Sequence, residues 1–196
     1  MPASEAPCAH LERGGWPVSK HLSDERNEAG KKGETAALDW LVQLYGLARV
    51  TKADKPLQDE NIDFVVIPQG EPKLYLEVKT DRNIERTGNF ALEMARIKHN
   101  LPLNRYFYPA WFIASRANML IVYSPASRIL YSIDMPAARR VANEYVREHR
   151  DRTQWRAVFT DFERTSINLL MPVNQVPHDR WQYNSDARFW EQAVAA

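Results

Sequence analysis

The chain has 196 residues, 44% of them hydrophobic, with 26 Lys and Arg against 25 Asp and Glu, a formal net charge of +1. That length and apolar content suit one domain with a real core, and the charge balance excludes a histone-like grip on nucleic acid, so any DNA contact has to come from a local concentration of Arg and Lys. The lone cysteine, Cys8, excludes an internal disulfide framework and a cysteine-rich zinc site, and the lack of any run of about 18 apolar residues excludes a membrane-spanning helix.

The opening MPASEAPCAHLERGG has no apolar signal-peptide core, so a cytoplasmic home is the default expectation. Residues 1–28 mix Pro, Gly, Ser and charges without period and read as a flexible N-terminal arm; 29–196 read as a single domain with a C-terminal tail. In KKGETAALDWLVQLYG the apolar residues Ala37, Leu38, Leu41, Val42 and Leu44 recur at helical spacing, and Gly46 stands where a helix ends, so a helix is predicted over 33–45. LARVTKA reads as a strand near 47–53, and ADKPLQDEN as a loop.

IDFVVIP and KLYLEVKTD are β-rich runs separated by PQGEP, which predicts a hairpin with strands over 61–67 and 73–80. Residues 81–92 are polar and read as a loop around Gly88, and a short helix is expected over 91–99. RYFYPAWFIASRA is aromatic and irregular. NMLIVYSPASRILYSID predicts a second hairpin over 118–124 and 128–134, and MPAARRVANEYVREHR a helix with Pro136 in its first turn. TQWRAVFTDFERTSINLLMPVNQVP is expected to add one or two edge strands, and WQYNSDARFWEQAVAA a terminal helix carrying Phe189 and Trp190. The order predicts a mixed α/β domain with a central sheet flanked by helices.

The hairpin over 61–80 carries the chemistry. Side chains alternate along a strand, so Glu77 and Lys79 share a face while Leu76, Val78 and Thr80 take the other. Asp63 opens the neighbouring strand and reaches the same patch. A hard cation such as Mg²⁺ binds oxygen ligands and typically takes one or two protein carboxylates, so Asp63 and Glu77 are the candidate metal ligands, with the backbone carbonyl of Val78 a further one. Lys79 is the candidate catalytic cation, placed to orient water or stabilise growing negative charge. The same Glu-x-Lys triplet also reads as two surface residues of a solvated strand, but it follows the apolar LYL of a strand expected to be central, where unpaired charges are costly.

These residues resemble the PD-(D/E)xK nuclease superfamily, in which an acidic residue opens one strand and an E-x-K pair lies on the next. Here Asp63 and Glu77-Val78-Lys79 match that pattern, and Glu34 in KKGETAALDWL resembles the first-helix glutamate of many members. RTGNFALE, with Thr87, Gly88, Asn89 and Glu93, is similar to a segment of small phage and prophage-type members; Asn118 stands where that group usually carries an aspartate. The likeness covers roughly residues 31–176. It implies a restriction-endonuclease-like αβββαβ core with a mixed central sheet flanked by helices. It also implies hydrolysis of DNA phosphodiester bonds by an activated water, with Mg²⁺ or Mn²⁺ as cofactor and Asp63, Glu77, Lys79 and Glu34 as catalytic residues. The fold alone does not fix a function.

Around the trio, Arg82, Arg86, Thr87 and Asn89 are candidate contacts to DNA phosphates, against the plainer reading of an ordinary turn. Arg96, Lys98 and Arg105 extend that basic stretch. Arg139, Arg140, Arg147, Arg150, Arg152 and Arg156 form a second one, mixed with acids and readable as a solvated helix face. Tyr106, Phe107, Tyr108, Trp111 and Phe112 suit base stacking or a core. Two rivals to a nuclease stay open: a catalytically inactive module of the same fold that binds DNA or a protein partner, and a homo-oligomeric structural protein, a homodimer included.

Overall fold

The computed structural model describes residues 20–98, 106–149, 154–161 and 164–193. Helix α1 (Lys20–Tyr45) comes first and ends at Gly46, whose φ of 83° is the left-handed conformation that glycine adopts freely and whose N–H donates to the Val42 carbonyl at 2.8 Å. The helix begins earlier than its apolar period: residues 20–28, read as part of an arm, are its first turns, and 1–19 lie outside the described residues.

After a short 3-10 turn come β1 (Val50–Lys52), the short helix α2 (Lys55–Asp59), β2 (Phe64–Val66) and β3 (Leu74–Thr80). These three strands pair antiparallel in sequence, and Gly70, at φ 76°, sits in the β2–β3 turn. The chain then crosses over through α3 (Ile84–Thr87), β4 (Asn89–Lys98), β5 (Tyr106–Pro109) and α4 (Trp111–Ala114) to β6 (Met119–Ser124), which runs parallel to β3. The hairpin partner β7 (Ile129–Asp134) follows. Next is α5 (Met135–Glu148), capped by Asp134, whose Oδ1 accepts from the Ala137 N–H at 2.6 Å, with Pro136 in the first turn.

The last strands are β8 (Gln154–Asp161), β9 (Arg164–Pro172), β10 (Asp179–Asn184) and β11 (Phe189–Gln192). They complete two sheets, a seven-stranded one in the order β1-β2-β3-β6-β7-β10-β11 and a four-stranded one in the order β5-β4-β9-β8. The first is mixed and lies under α1, so the domain is α/β with a mixed sheet flanked by helices, and helix, three antiparallel strands, crossover and parallel strand follow the αβββαβ order.

Several expectations fail. The ADKPLQDEN segment read as a loop holds α2, capped by Asp54, and the 81–92 loop holds α3 and the start of β4. Residues 91–98 are strand, because β4 pairs along its whole length with β9 and that tertiary pairing overrides the helix preference of ALEMARIK. The C-terminal segment is a hairpin, because Asn184 Oδ1 accepts from the Asp186 and Ala187 N–H groups and turns the chain, so Trp190 comes back against Tyr183. β9, expected at an edge, lies inside its sheet.

Each face of the large sheet has its own core. Ala37, Trp40 and Leu41 of α1 cover Phe64, Leu76, Val78 and Ile121 on one side. On the other, Leu120 and Val122 meet Phe90, Leu92, Leu169 and Met171 of the small sheet. Full burial of each such side chain contributes about 1.5–3 kcal/mol. α1 approaches β3 closely at Gly33, where a Cβ would fall 2.1 Å from Thr80 Oγ1. Thr80 Oγ1 itself donates to the Ala29 carbonyl at 3.0 Å, tying helix to strand beside the charged trio.

Candidate active site

The alternation of β3 sends Leu76 and Val78 toward α1 and Glu77 and Lys79 to the opposite face, in register with Leu120 and Val122. On β2, Phe64 pairs with Leu76, and one more step along that register sets Asp63 opposite Glu77. Side chains so placed have Cβ atoms about 4.5–5.5 Å apart. Asp63 is fixed from both ends: its N–H donates to the Leu76 carbonyl at 2.7 Å, and its Oδ2 accepts from the Val78 N–H at 2.7 Å. Lys79 Nζ is ion-paired to Glu77 Oε1 and lies 5.1 Å from the centre of the Trp111 ring, a cation–π contact that limits where the ammonium can go.

The carboxylates are withdrawn from solvent to different degrees, Asp63 partly and Glu77 almost wholly. Glu77 is 2% exposed, and burial, reinforced by the negative charge of Asp63, pushes its pKa up to about 7 against the pull of Lys79 and Arg96. Burial also raises Asp63, with the Glu34 charge adding to the effect and the Val78 N–H, Lys79 and Lys52 opposing it. Glu34, from α1, accepts from Lys52 Nζ at 2.7 Å, and that hydrogen bond is the main cause of the raised Lys52 pKa. The trio therefore belongs to a run of interacting charges, Lys52–Glu34–Asp63–Lys79–Glu77, in which the carboxylates of Glu34 and Asp63 repel each other.

A cleft of about 680 Å³ opens over this patch. Asp63, Val78, Lys79 and Glu34 line it from the large sheet and α1. Glu93, Ser166 and Asn168 line it from the small sheet, and Arg82 and Asn83 from the connection after β3. Glu77 is not on its surface; Lys79 covers it. The donor set suits a hard cation: a buried and a half-buried carboxylate on one face, a backbone segment at Val78 and an ammonium alongside. Among the described residues no group of three or more His, Cys, Asp and Glu side chains is arranged to hold a metal, and a cation held by Asp63 and Glu77 would need water or substrate oxygens to complete its shell.

The sequence-selected phosphate contacts separate. Arg82 reaches the cleft, though its Nη2 donates to the Glu25 carbonyl at 2.8 Å. Arg86 is exposed and donates to Asn83 Oδ1. Thr87 and Asn89 turn inward on their own loop, Thr87 Oγ1 donating to the Asn83 carbonyl and Asn89 Nδ2 to the Thr87 carbonyl, and neither lines the cleft. Gly88, at φ 64°, closes α3. Asn118 ties β6 to β3: its Oδ1 accepts from the Tyr75 N–H at 2.8 Å.

Of the second basic stretch, Arg139 is spent on the Phe112 and Ser115 carbonyls. Arg105, Arg150 and Arg152 lie outside the described residues, as do the side chains of Lys98, Tyr106, Phe107 and Arg156. Trp111 and Phe112 are buried in the core, and Tyr108 is exposed. Lys52, Ser166 and Asn168 were not singled out by sequence reasoning, and Trp111 only as one of five aromatics suited to stacking or a core; no local motif marks them as site residues, since each enters the site by tertiary contact.

No protein-family model matches the chain, and no curated protein matches it. Among solved structures it is similar to a bacterial homing endonuclease, with 19% identity over 56% of this chain and 68% of that one and a TM-score of 0.41. No helix among the described residues is long and apolar enough to cross a membrane.

Proposed function

We propose that this chain is a metal-dependent deoxyribonuclease of the PD-(D/E)xK type that hydrolyses phosphodiester bonds with water as nucleophile. One observation carries the reading: Asp63 and Glu77, on neighbouring strands, meet on one buried face with Lys79 in contact. Burial that disfavours charge on both carboxylates gives them reason to take a cation. Asp63 and Glu77 hold Mg²⁺ or Mn²⁺, with the Val78 carbonyl as a further donor. When bound, such an ion polarises the phosphate and acidifies a coordinated water. Asp63 is oriented by the Val78 N–H. Lys79, steadied over Trp111, exchanges Glu77 for the substrate and stabilises the charge that grows on the phosphate oxygens. Glu34, hydrogen-bonded to Lys52, assists as a further carboxylate beside Asp63, and the repulsion between the two adds to the pull on a cation.

The test is hydrolysis of mixed single-stranded, duplex and branched DNA with Mg²⁺, with Mn²⁺ and with EDTA, with Lys79→Ala as the control. Metal-dependent cleavage lost in that variant supports the assignment; cleavage by Lys79→Ala at the wild-type rate refutes it.

A second reading, a nuclease-fold module that binds DNA or a protein without turnover, is favoured by the Lys79 contact that covers Glu77. It predicts DNA binding without cleavage under every metal condition.

A further inference from the structure

The second wall of the cleft holds a charged cluster that the trio does not explain and that the resemblance touches only at Glu93. In a regular strand, residues three apart point to opposite faces. Glu93 and Arg96 of β4 nevertheless form an ion pair at 2.7 Å. The pairing of β4 with β9 shows why: Glu93 faces Asn168 and Ala95 faces Ile167, so the register slips at Met94. That bulge restores Arg96, opposite Ser166, to the face that carries Glu93 and Asn168. One extra residue thereby puts Glu93, Arg96, Ser166 and Asn168 on a single polar surface, three of which line the cleft.

The cluster is ordered around the arginine. Glu93, 7% exposed, accepts from Arg96 Nε at 2.8 Å and Nη2 at 2.7 Å, and its Oε1 also accepts from Ser166 Oγ. The guanidinium is thus held by a two-pronged clamp at one edge while its side chain stays 45% exposed. Its charge is felt at Glu77, across the cleft. Arg96 stands at the rim of the cleft, beside three residues that line it, and a fixed, partly exposed guanidinium there suits a phosphate, which accepts from such a fork.

Resting on the nuclease reading for its substrate class, we propose that Arg96, aimed by the bulge and clamped by Glu93, is a phosphodiester-binding residue on the second wall. It holds the nucleic-acid backbone against Asp63 and Lys79. Glu93 and Ser166 are positioning residues that act through it.

The experiment measures binding of a fluorescent duplex and a single strand of equal length, in EDTA, between 50 and 200 mM salt. It needs no turnover, so a chain that never cleaves still reports. Arg96→Gln is expected to weaken binding roughly 5- to 10-fold and to reduce the slope of log K against log salt by about one, the signature of one lost phosphate contact. Arg96→Lys is expected to keep the slope and recover only part of the affinity. The double variant Glu93→Gln/Arg96→Gln leaves no unpaired buried carboxylate and guards against a folding defect; it is expected to show the same loss of slope. If the folded double variant binds both probes with wild-type affinity and slope, or if the wild type binds neither, the proposal fails. Loss of cleavage with Arg96-dependent binding intact overturns the nuclease reading and leaves this one standing.

Discussion

Glu77 and Glu93 stand in facing sheets, each in mid-strand, each nearly sealed from water, each beside a cation, and their acidities move in opposite directions. Burial alone would raise both. At Glu93, two hydrogen bonds from Arg96 and one from Ser166 outweigh burial and hold the carboxyl below its usual range. At Glu77, a single ammonium does not outweigh it, and Asp63 adds repulsion, so the pKa rises to about 7. Satisfied charge marks the wall that is already complete, and under-compensated charge marks the wall that awaits a partner.

Under the proposed nuclease function, turnover belongs to the wall that carries Glu77. Lys79→Ala is expected to lower the cleavage rate by at least about 10²–10³-fold in single-turnover kinetics, the scale seen when a donor to developing charge is removed. Next in size is the stability of Glu77→Gln. A raised folded pKa means the native state binds more protons than the unfolded chain between 4.5 and about 7, so wild-type stability falls as pH climbs through that window. Without metal, the variant should be more stable than wild type above pH 7, by on the order of 2–3 kcal/mol, and equal to it near pH 4 in urea unfolding.

Glu93→Gln should behave oppositely. A depressed folded pKa contributes stability present above the unfolded value of 4.5 and lost as pH falls through the folded one. The variant is expected to lose about 1–3 kcal/mol at pH 7, with the deficit closing in acid. Matching pH profiles for the two glutamine variants would remove the distinction between the walls.

The smallest effects concern how α1 holds the first wall. Gly33→Ala places a methyl against Thr80 Oγ1, and overpacking set against better helix propensity leaves a net loss of about 1 kcal/mol, relieved by adding Thr80→Ala. Gly30→Ala, with nothing within 4 Å of its Cβ, should gain about 0.5–1 kcal/mol in thermal unfolding.

The two walls also differ in how much the sequence discloses. Asp63, Glu77 and Lys79 follow from strand alternation and one short turn, both local, and the hairpins around Gly70 and Pro125 declare themselves in the same way. Glu93 and Arg96 stand out only separately, one in the family resemblance and one in the basic stretch, and their pairing on one face is not legible. ALEMARIK is rich in helix formers, the spacing of three suits a helix face, and only pairing with β9 makes the segment a strand and its bulge a means of aiming Arg96. The early start of α1 was hidden for a related reason: residues 20–28 carry no apolar period. The C-terminal hairpin was visible in principle, since Asn184-Ser185-Asp186-Ala187 is turn chemistry between two aromatic runs.

The central claim, that Asp63 and Glu77 converge to hold one divalent ion, is tested most directly by calorimetric titration of Mn²⁺ at pH 6 in two buffers of different ionisation enthalpy. The account predicts one ion per chain, release of close to one proton as Glu77 gives up its own, and loss of that binding in both Asp63→Asn and Glu77→Gln. No uptake by the wild type, or uptake with the same proton count in Glu77→Gln, would contradict it.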